Sequence, residues 1–201
     1  MRWVGSVAAA TLLVAGLVAG CSLPGGSPEP EPDAEPTTLP SYDAAQARVV
    51  RGPFCDRISP TGVEHALGSA PEDSGHWENG DRVGLPDGGR DRVHEFGCSW
   101  SGEDGTVATA YLFVPPVTAR QARSLVRGRL PAGCSSMASD GFGRPSLATR
   151  CVGDDATTEL AYRGLFGDAW LVCSLRTPGD PANLPTRASA WCVDVLEAAR
   201  A

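Results

Sequence analysis

The chain has 201 residues, enough for one domain plus flanking segments, with 17 basic and 24 acidic residues and a net charge of −7. Every basic residue is an arginine; lysine is absent. The acidic balance, without a basic patch rich in aromatics, argues against nucleic-acid binding and against folding onto an anionic membrane surface.

Arg2 precedes an uncharged stretch over positions 3–19, which ends in Leu17-Val18-Ala19-Gly20-Cys21. A charged start, an apolar run and small residues before a cut site are the plan of a secretory signal. The run of about 17 residues lies near the lower limit for a membrane-spanning helix. Its many Ala and Gly residues make it only moderately apolar, and a thiol stands directly after a small residue. The order resembles a bacterial lipoprotein signal peptide with its lipobox. That resemblance implies removal of residues 1–20 and a diacylglyceryl thioether on Cys21, with acyl chains such as palmitate. Two buried chains are what stable anchoring requires. The implied address is the cell membrane, lipid-anchored, on the extracytoplasmic side. Residues 21–40 then read as a tether: six prolines alternate with Glu29, Glu31, Asp33 and Glu35. Proline favours extended polyproline II and like charges repel, so this segment reaches up to roughly 60 Å. The abundance of Arg, Ala and Gly is that of a GC-rich genome, and an actinobacterial source is expected.

Residues 41–201 are expected to form one α+β domain. Positions 43–51 fit a short helix or a lead-in strand equally. Ser59-Pro60 opens a helix as N-cap and first-turn proline; Val63, Ala66 and Leu67 share its apolar face, and Gly68 ends it. Residues 69–92, rich in Gly, Asp, Glu and Pro, read as a long loop. From His94, Phe96, Cys98 and Trp100 alternate with Glu95, Gly97 and Ser99, the period of a strand. A turn at 102–105 leads to a second strand over 106–114, stopped by Pro115-Pro116. Thr118 caps a helix over 118–130 with Ala122, Leu125 and Val126 as its buried stripe. Strands follow over 146–152, 157–165 and 169–176, then a helix over 184–200 with Trp191, Val195 and Leu196 inward. The order α-β-β-α-β-β-β-α predicts an antiparallel sheet of about five strands, with helices packed mainly on one face.

There are seven cysteines. With Cys21 assigned to lipid, an even set remains in an exported domain, which is the arithmetic of a disulfide framework. No C-x-x-C pair and no histidine at ligand spacing supports zinc, and no other metal or cofactor is expected. Cys173 on the last strand faces Cys192 on the last helix, and Cys134 and Cys151 flank one loop. Cys55, just before the first helix, is left for Cys98 on the first strand, so sequential pairing is expected.

Cys55-Asp56-Arg57-Ile58-Ser59, the helix ending in Leu67-Gly68, and Cys98-Ser99-Trp100 resemble a group of actinobacterial envelope lipoproteins of unknown function. The plan is similar to the extracytoplasmic sensor domains of certain mycobacterial serine/threonine kinases. Those carry a helix-to-strand disulfide and one closing a short loop, which Cys55–Cys98 and Cys134–Cys151 would match; Cys173 and Cys192 depart from that plan. The resemblance implies an α+β sheet domain with a groove and brings no catalytic residues.

No G-x-S-x-G, P-loop, G-x-G-x-x-G after a strand or H-E-x-x-H occurs. His65 reads as surface or cap-packing and His94 as structural. His76 and Trp77 are the candidate binding pair. Glu72, Asp73, Glu78, Asp81, Asp87 and Asp91 match no EF-hand spacing and read as a solvated acidic loop. Trp100, Trp170 and Trp191 read as core. The expected function is non-catalytic binding of a small apolar molecule, a glycan or an envelope protein, between sheet and helices. An accessory subunit of a membrane complex is the alternative, and an envelope hydrolase with a cryptic site a further one. The intact mass of membrane-extracted protein is expected to begin at Cys21 and to include a diacylglyceryl group. An unmodified Met1 start, or a cut elsewhere without lipid mass, refutes the lipoprotein reading.

Overall fold

A computed structural model describes residues 35–84 and 89–200. Cys21, the signal segment, most of the tether and Asp87 lie outside the described residues. The elements are α1 (Pro60–Leu67), β1 (Asp73–Trp77), β2 (Arg82–Gly84), β3 (Arg90–Arg92), β4 (Glu95–Ser101), β5 (Val107–Phe113), α2 (Ala119–Arg127), β6 (Cys134–Met137), β7 (Ser146–Val152), β8 (Thr157–Phe166), β9 (Ala169–Pro178) and α3 (Leu184–Ala199). The α+β class is that expected. The main sheet has seven strands, not five, in the antiparallel order β1-β4-β5-β9-β8-β7-β6, and β2 and β3 form a separate hairpin. No described helix is long and apolar enough to cross a membrane.

The first face of the sheet carries Cys98, Ala108, Ala110, Leu112, Leu160, Tyr162, Leu171, Cys173 and Leu175, all buried. Against it pack α1, through Val63, Ala66 and Leu67, and α3, through Leu184, Ala188, Trp191, Val195 and Leu196. Ser59 caps α1 by accepting the Gly62 N–H at 2.9 Å, and Gly68 closes it in the left-handed region at φ 77°. The Arg187 guanidinium donates to the Ala66 carbonyl from Nη2 at 2.7 Å and from Nε at 3.1 Å. A cation thereby satisfies an orphan carbonyl in the last turn of α1 and locks α3 to it. Trp191 meets Trp100 edge-on at 5.6 Å and donates from Nε1 to the Thr109 carbonyl, which stands between Ala108 and Ala110.

The amino-terminal lead-in is neither of the expected regular forms. It makes two single 3-10 turns, Leu39–Ser41 and Ala44–Gln46, and then an isolated bridge from Val49 to Arg200. Leu39 is buried and donates its N–H to Ser189 Oγ at 2.8 Å, so packing begins two residues ahead of position 41.

Four further expectations are corrected. The long loop 69–92 holds β1 and both strands of the β2–β3 hairpin. β1 escaped the periodic pattern because an edge strand with both faces wet needs no alternation: Asp73, Ser74, Gly75 and His76 are all exposed. Cys134 opens a short strand, β6, paired residue for residue with β7, rather than flanking a plain loop. α2 packs on the face opposite α1 and α3, where Val117, Ala122, Leu165, Trp170 and Val172 form a second, smaller core. Finally, Leu125 is not buried: it is 53 % exposed.

The three disulfides pair sequentially: Cys55–Cys98, Cys134–Cys151 and Cys173–Cys192. They tie the turn before α1 to β4, β6 to β7, and β9 to α3. Non-reducing peptide mapping is expected to return these pairs, and a Cys134–Cys173 peptide would refute them. Removing Cys134–Cys151, which closes 17 residues, as a double serine variant is expected to cost about 3 kcal/mol in denaturant unfolding on the chain-entropy model.

Candidate ligand groove

The second face of the sheet carries a row that crosses it through Trp77, Gly97, Tyr111, Val172, Arg163 and Leu147. Beside it lies the row Glu95, Phe113, Trp170 and Leu165. Pro115 and Pro116 end β5, because proline has no N–H for the ladder. Thr118 then starts α2 with a capping box: its hydroxyl accepts the Gln121 N–H, and Gln121 Oε1 accepts the Thr118 N–H at 2.8 Å. Ala122 is the one fully buried residue of α2, and the Val117 N–H donates to the Asp168 carbonyl. One narrow stripe thus holds the helix over a wide sheet, and a groove opens beside it.

The groove has two chambers. The larger, about 700 Å³, is lined mainly by Tyr111, Phe113, Val117, Leu125, Trp170 and Pro115–Pro116, and also by Glu95, Arg120, Gln121 and Ser124. The smaller, about 340 Å³, is more polar and is lined by Arg129, Leu130, Leu147, Thr149, Arg163 and the Cys134–Cys151 bridge. Tyr111, Leu125 and Trp170 line both. Together they have the size and mainly apolar lining of small-molecule sites.

The charged groups in the groove are unevenly paired. Glu95 Oε1 accepts the Trp77 indole N–H at 2.9 Å. Arg163 donates from Nη1 to Thr149 Oγ1 at 2.8 Å, with Tyr111 across Val172 from it on the same face. Burial above all holds Tyr111 above its ordinary value, with Glu95 and Glu159 adding to the rise and Arg163 opposing it. The described ion pairs are Arg51–Asp168, Arg150–Asp180 and Arg200–Glu197, and none uses an arginine of the groove.

The expected pair His76 and Trp77 separates. They are neighbours on a strand, so their side chains leave opposite faces of the sheet. His76 is exposed on the edge strand. The Trp77 indole lies directly over Gly97, where any β-carbon would collide with it, and so covers the edge of the second face. The cavity beside both residues is small, about 110 Å³. Trp77 reaches the large groove only through Glu95. Trp100 and Trp191 belong to the main core and Trp170 to the second, smaller one, as expected; Trp170 also forms a wall of the groove. Trp170 and Tyr111 were missed as groove residues because an apolar strand position reads the same whether a helix or a cavity faces it. Among the described residues, no group of three or more His, Cys, Asp or Glu could hold a metal ion.

A His–Asp pair does occur, between α1 and α3, and neither member lines the groove. The Asp194 carboxylate lies against Gly62, and His65 Nδ1 is buried without a partner among the described residues. Ser59 is already engaged as the helix cap. Burial raises Asp194 above the usual carboxylate value, with His65 opposing and Glu197 reinforcing the rise. No family model, curated protein or solved structure matches the chain.

An acid whose folded value is raised holds its proton more tightly folded than unfolded. Its neutral form therefore stabilises the fold fully below the ordinary carboxylate range, and that contribution is lost as pH rises through the raised value. Relative to the parent, Asp194→Asn is expected to gain stability across that rise, read as a change in urea midpoint at successive pH values. A difference that does not vary with pH refutes the assignment.

Proposed function

We propose that this chain is an actinobacterial envelope lipoprotein, held at the extracytoplasmic side of the membrane by lipid on Cys21, whose domain binds a small ligand without catalysis. The observation that carries the reading is the two-chamber groove between α2 and the second sheet face. The sensor-like plan inferred from the cysteine and Leu-Gly motifs is compatible with a groove of this kind. Its lining includes one carboxylate, Glu95, which already accepts a hydrogen bond, and no histidine. That set lacks the paired acid and base or the activated nucleophile that hydrolysis needs. An accessory subunit would call for a contiguous apolar surface. Among the described residues, the large exposed apolar side chains, those of Val50, Val83, Leu125 and Val152, come from four separate segments of the chain instead.

Extraction of the natively purified protein is expected to release a bound small molecule. Added back at about 100 times its Kd, that molecule should stabilise the protein by about 2.7 kcal/mol. Leu125→Arg, at an exposed groove residue, should leave the unliganded melting temperature within about 2 °C and remove the ligand-induced rise. No extractable molecule and no rise with any fraction of an envelope extract would refute the binding reading.

A further inference from the structure

We infer that the groove takes an anionic amphiphile, a lipid with a phosphate-type head group, its apolar chain in the larger chamber and its head on Arg163 and Arg129 in the smaller. The inference rests on the groove-binding reading and adds a ligand class and a direction to it.

The direction follows from the walls. The larger chamber is lined mainly by Tyr111, Phe113, Val117, Leu125 and Trp170, groups that gain by covering hydrocarbon, and its one arginine, Arg120, is balanced by one carboxylate, Glu95. The smaller holds two arginines and Thr149. The shared residues, Tyr111, Leu125 and Trp170, make the two spaces one path with an apolar end and a cationic end. A purely apolar molecule would leave the cationic end unmatched, and a free anion would leave the apolar end wet.

The anion specificity follows from Arg163. It stands half-buried on a sheet face between Val172 and Leu147, and its hydrogen-bond partner is the neutral Thr149 hydroxyl. A charge taken partly out of water, hydrogen-bonded to a neutral hydroxyl and in no described ion pair, is incompletely matched, and an anion supplies the match. A guanidinium has five N–H donors in a fixed fork that fits phosphate. The Thr149 bond holds that fork in place before any ligand arrives. Arg129 lines the same chamber from the chain that leaves α2. Residues 119–129 hold four arginines and no acid, within a protein of net charge −7. That local reversal of sign attracts an anion to this mouth of the groove over the rest of the surface.

The test titrates the full chain, released from non-ionic detergent, with dodecyl phosphate, dodecanol and inorganic phosphate, and reads complexes by native mass spectrometry. Dodecyl phosphate is expected to bind at least 10-fold more tightly than either of the others. Arg129→Gln and Arg163→Gln should each lower its affinity at least 5-fold and leave dodecanol unchanged. Arg150→Gln, at an arginine on the other face paired with Asp180, should change neither. Because Arg129 is exposed, its variant keeps the test valid even if Arg163→Gln fails to fold. Equal binding of dodecanol, insensitive to both arginines, overturns the head-group assignment and leaves the groove reading standing. Inorganic phosphate binding as tightly as dodecyl phosphate overturns the lipid source in favour of a free-anion site. Absence of all three, together with a natively bound molecule of another class, overturns this inference alone; absence of any bound molecule overturns both.

Discussion

The burial of both faces of the β8–β9 hairpin is the constraint on which the rest of the domain depends. β9 is buried without a break from Ala169 to Cys173, and β8 nearly so from Thr158 to Phe166. A ladder buried on both sides must find a cover for each side. On the first face the sixteen-residue α3, with α1 beside it, supplies that cover, stapled through Cys173–Cys192. On the second face the cover is the nine-residue α2.

That inequality makes the groove. Seven strands spaced by ~4.8 Å span roughly 30 Å, whereas a nine-residue helix is ~13 Å long and ~10 Å wide. α2 lies nearest β7 and β8 and leaves Tyr111, Phe113 and one side of Trp170 facing the larger chamber, while Arg163 and Leu147 line the smaller one past its carboxyl end. Trp77 closes the far edge by lying over Gly97, a position only glycine can hold there. The groove is therefore a consequence of how the sheet is covered, and its polarity of which residues the uncovered rows carry.

Much of this was legible in the sequence. Ser59-Pro60 and Gly68 bounded α1, because capping depends on neighbouring residues alone. The alternation around Phe96, Cys98 and Trp100 placed β4, and the three disulfides followed from the order of elements. What escaped has a common cause. β1 is an exposed edge strand and β6 is four residues held by a cross-strand bridge, so neither needs an apolar period. Leu125 lies on the apolar side of α2 by pattern, and the pattern is right about the direction it faces. It could not tell that the sheet beneath opens into a cavity at that point.

The sequence alone determined the α+β class, the ends of all three helices to within a few residues, the disulfide pairing and the apolar lining of the central strands. These rest on local chemistry: caps, proline, alternation and an even set of cysteines in order. Only the tertiary structure decided that α2 lies opposite α1 and α3, that Trp170 and Tyr111 face a groove, and that Arg163 bonds the Thr149 hydroxyl and forms no described ion pair. Those facts depend on which face each element covers and on what stands across the sheet. Such distances join residues far apart in the chain, and no local pattern encodes them.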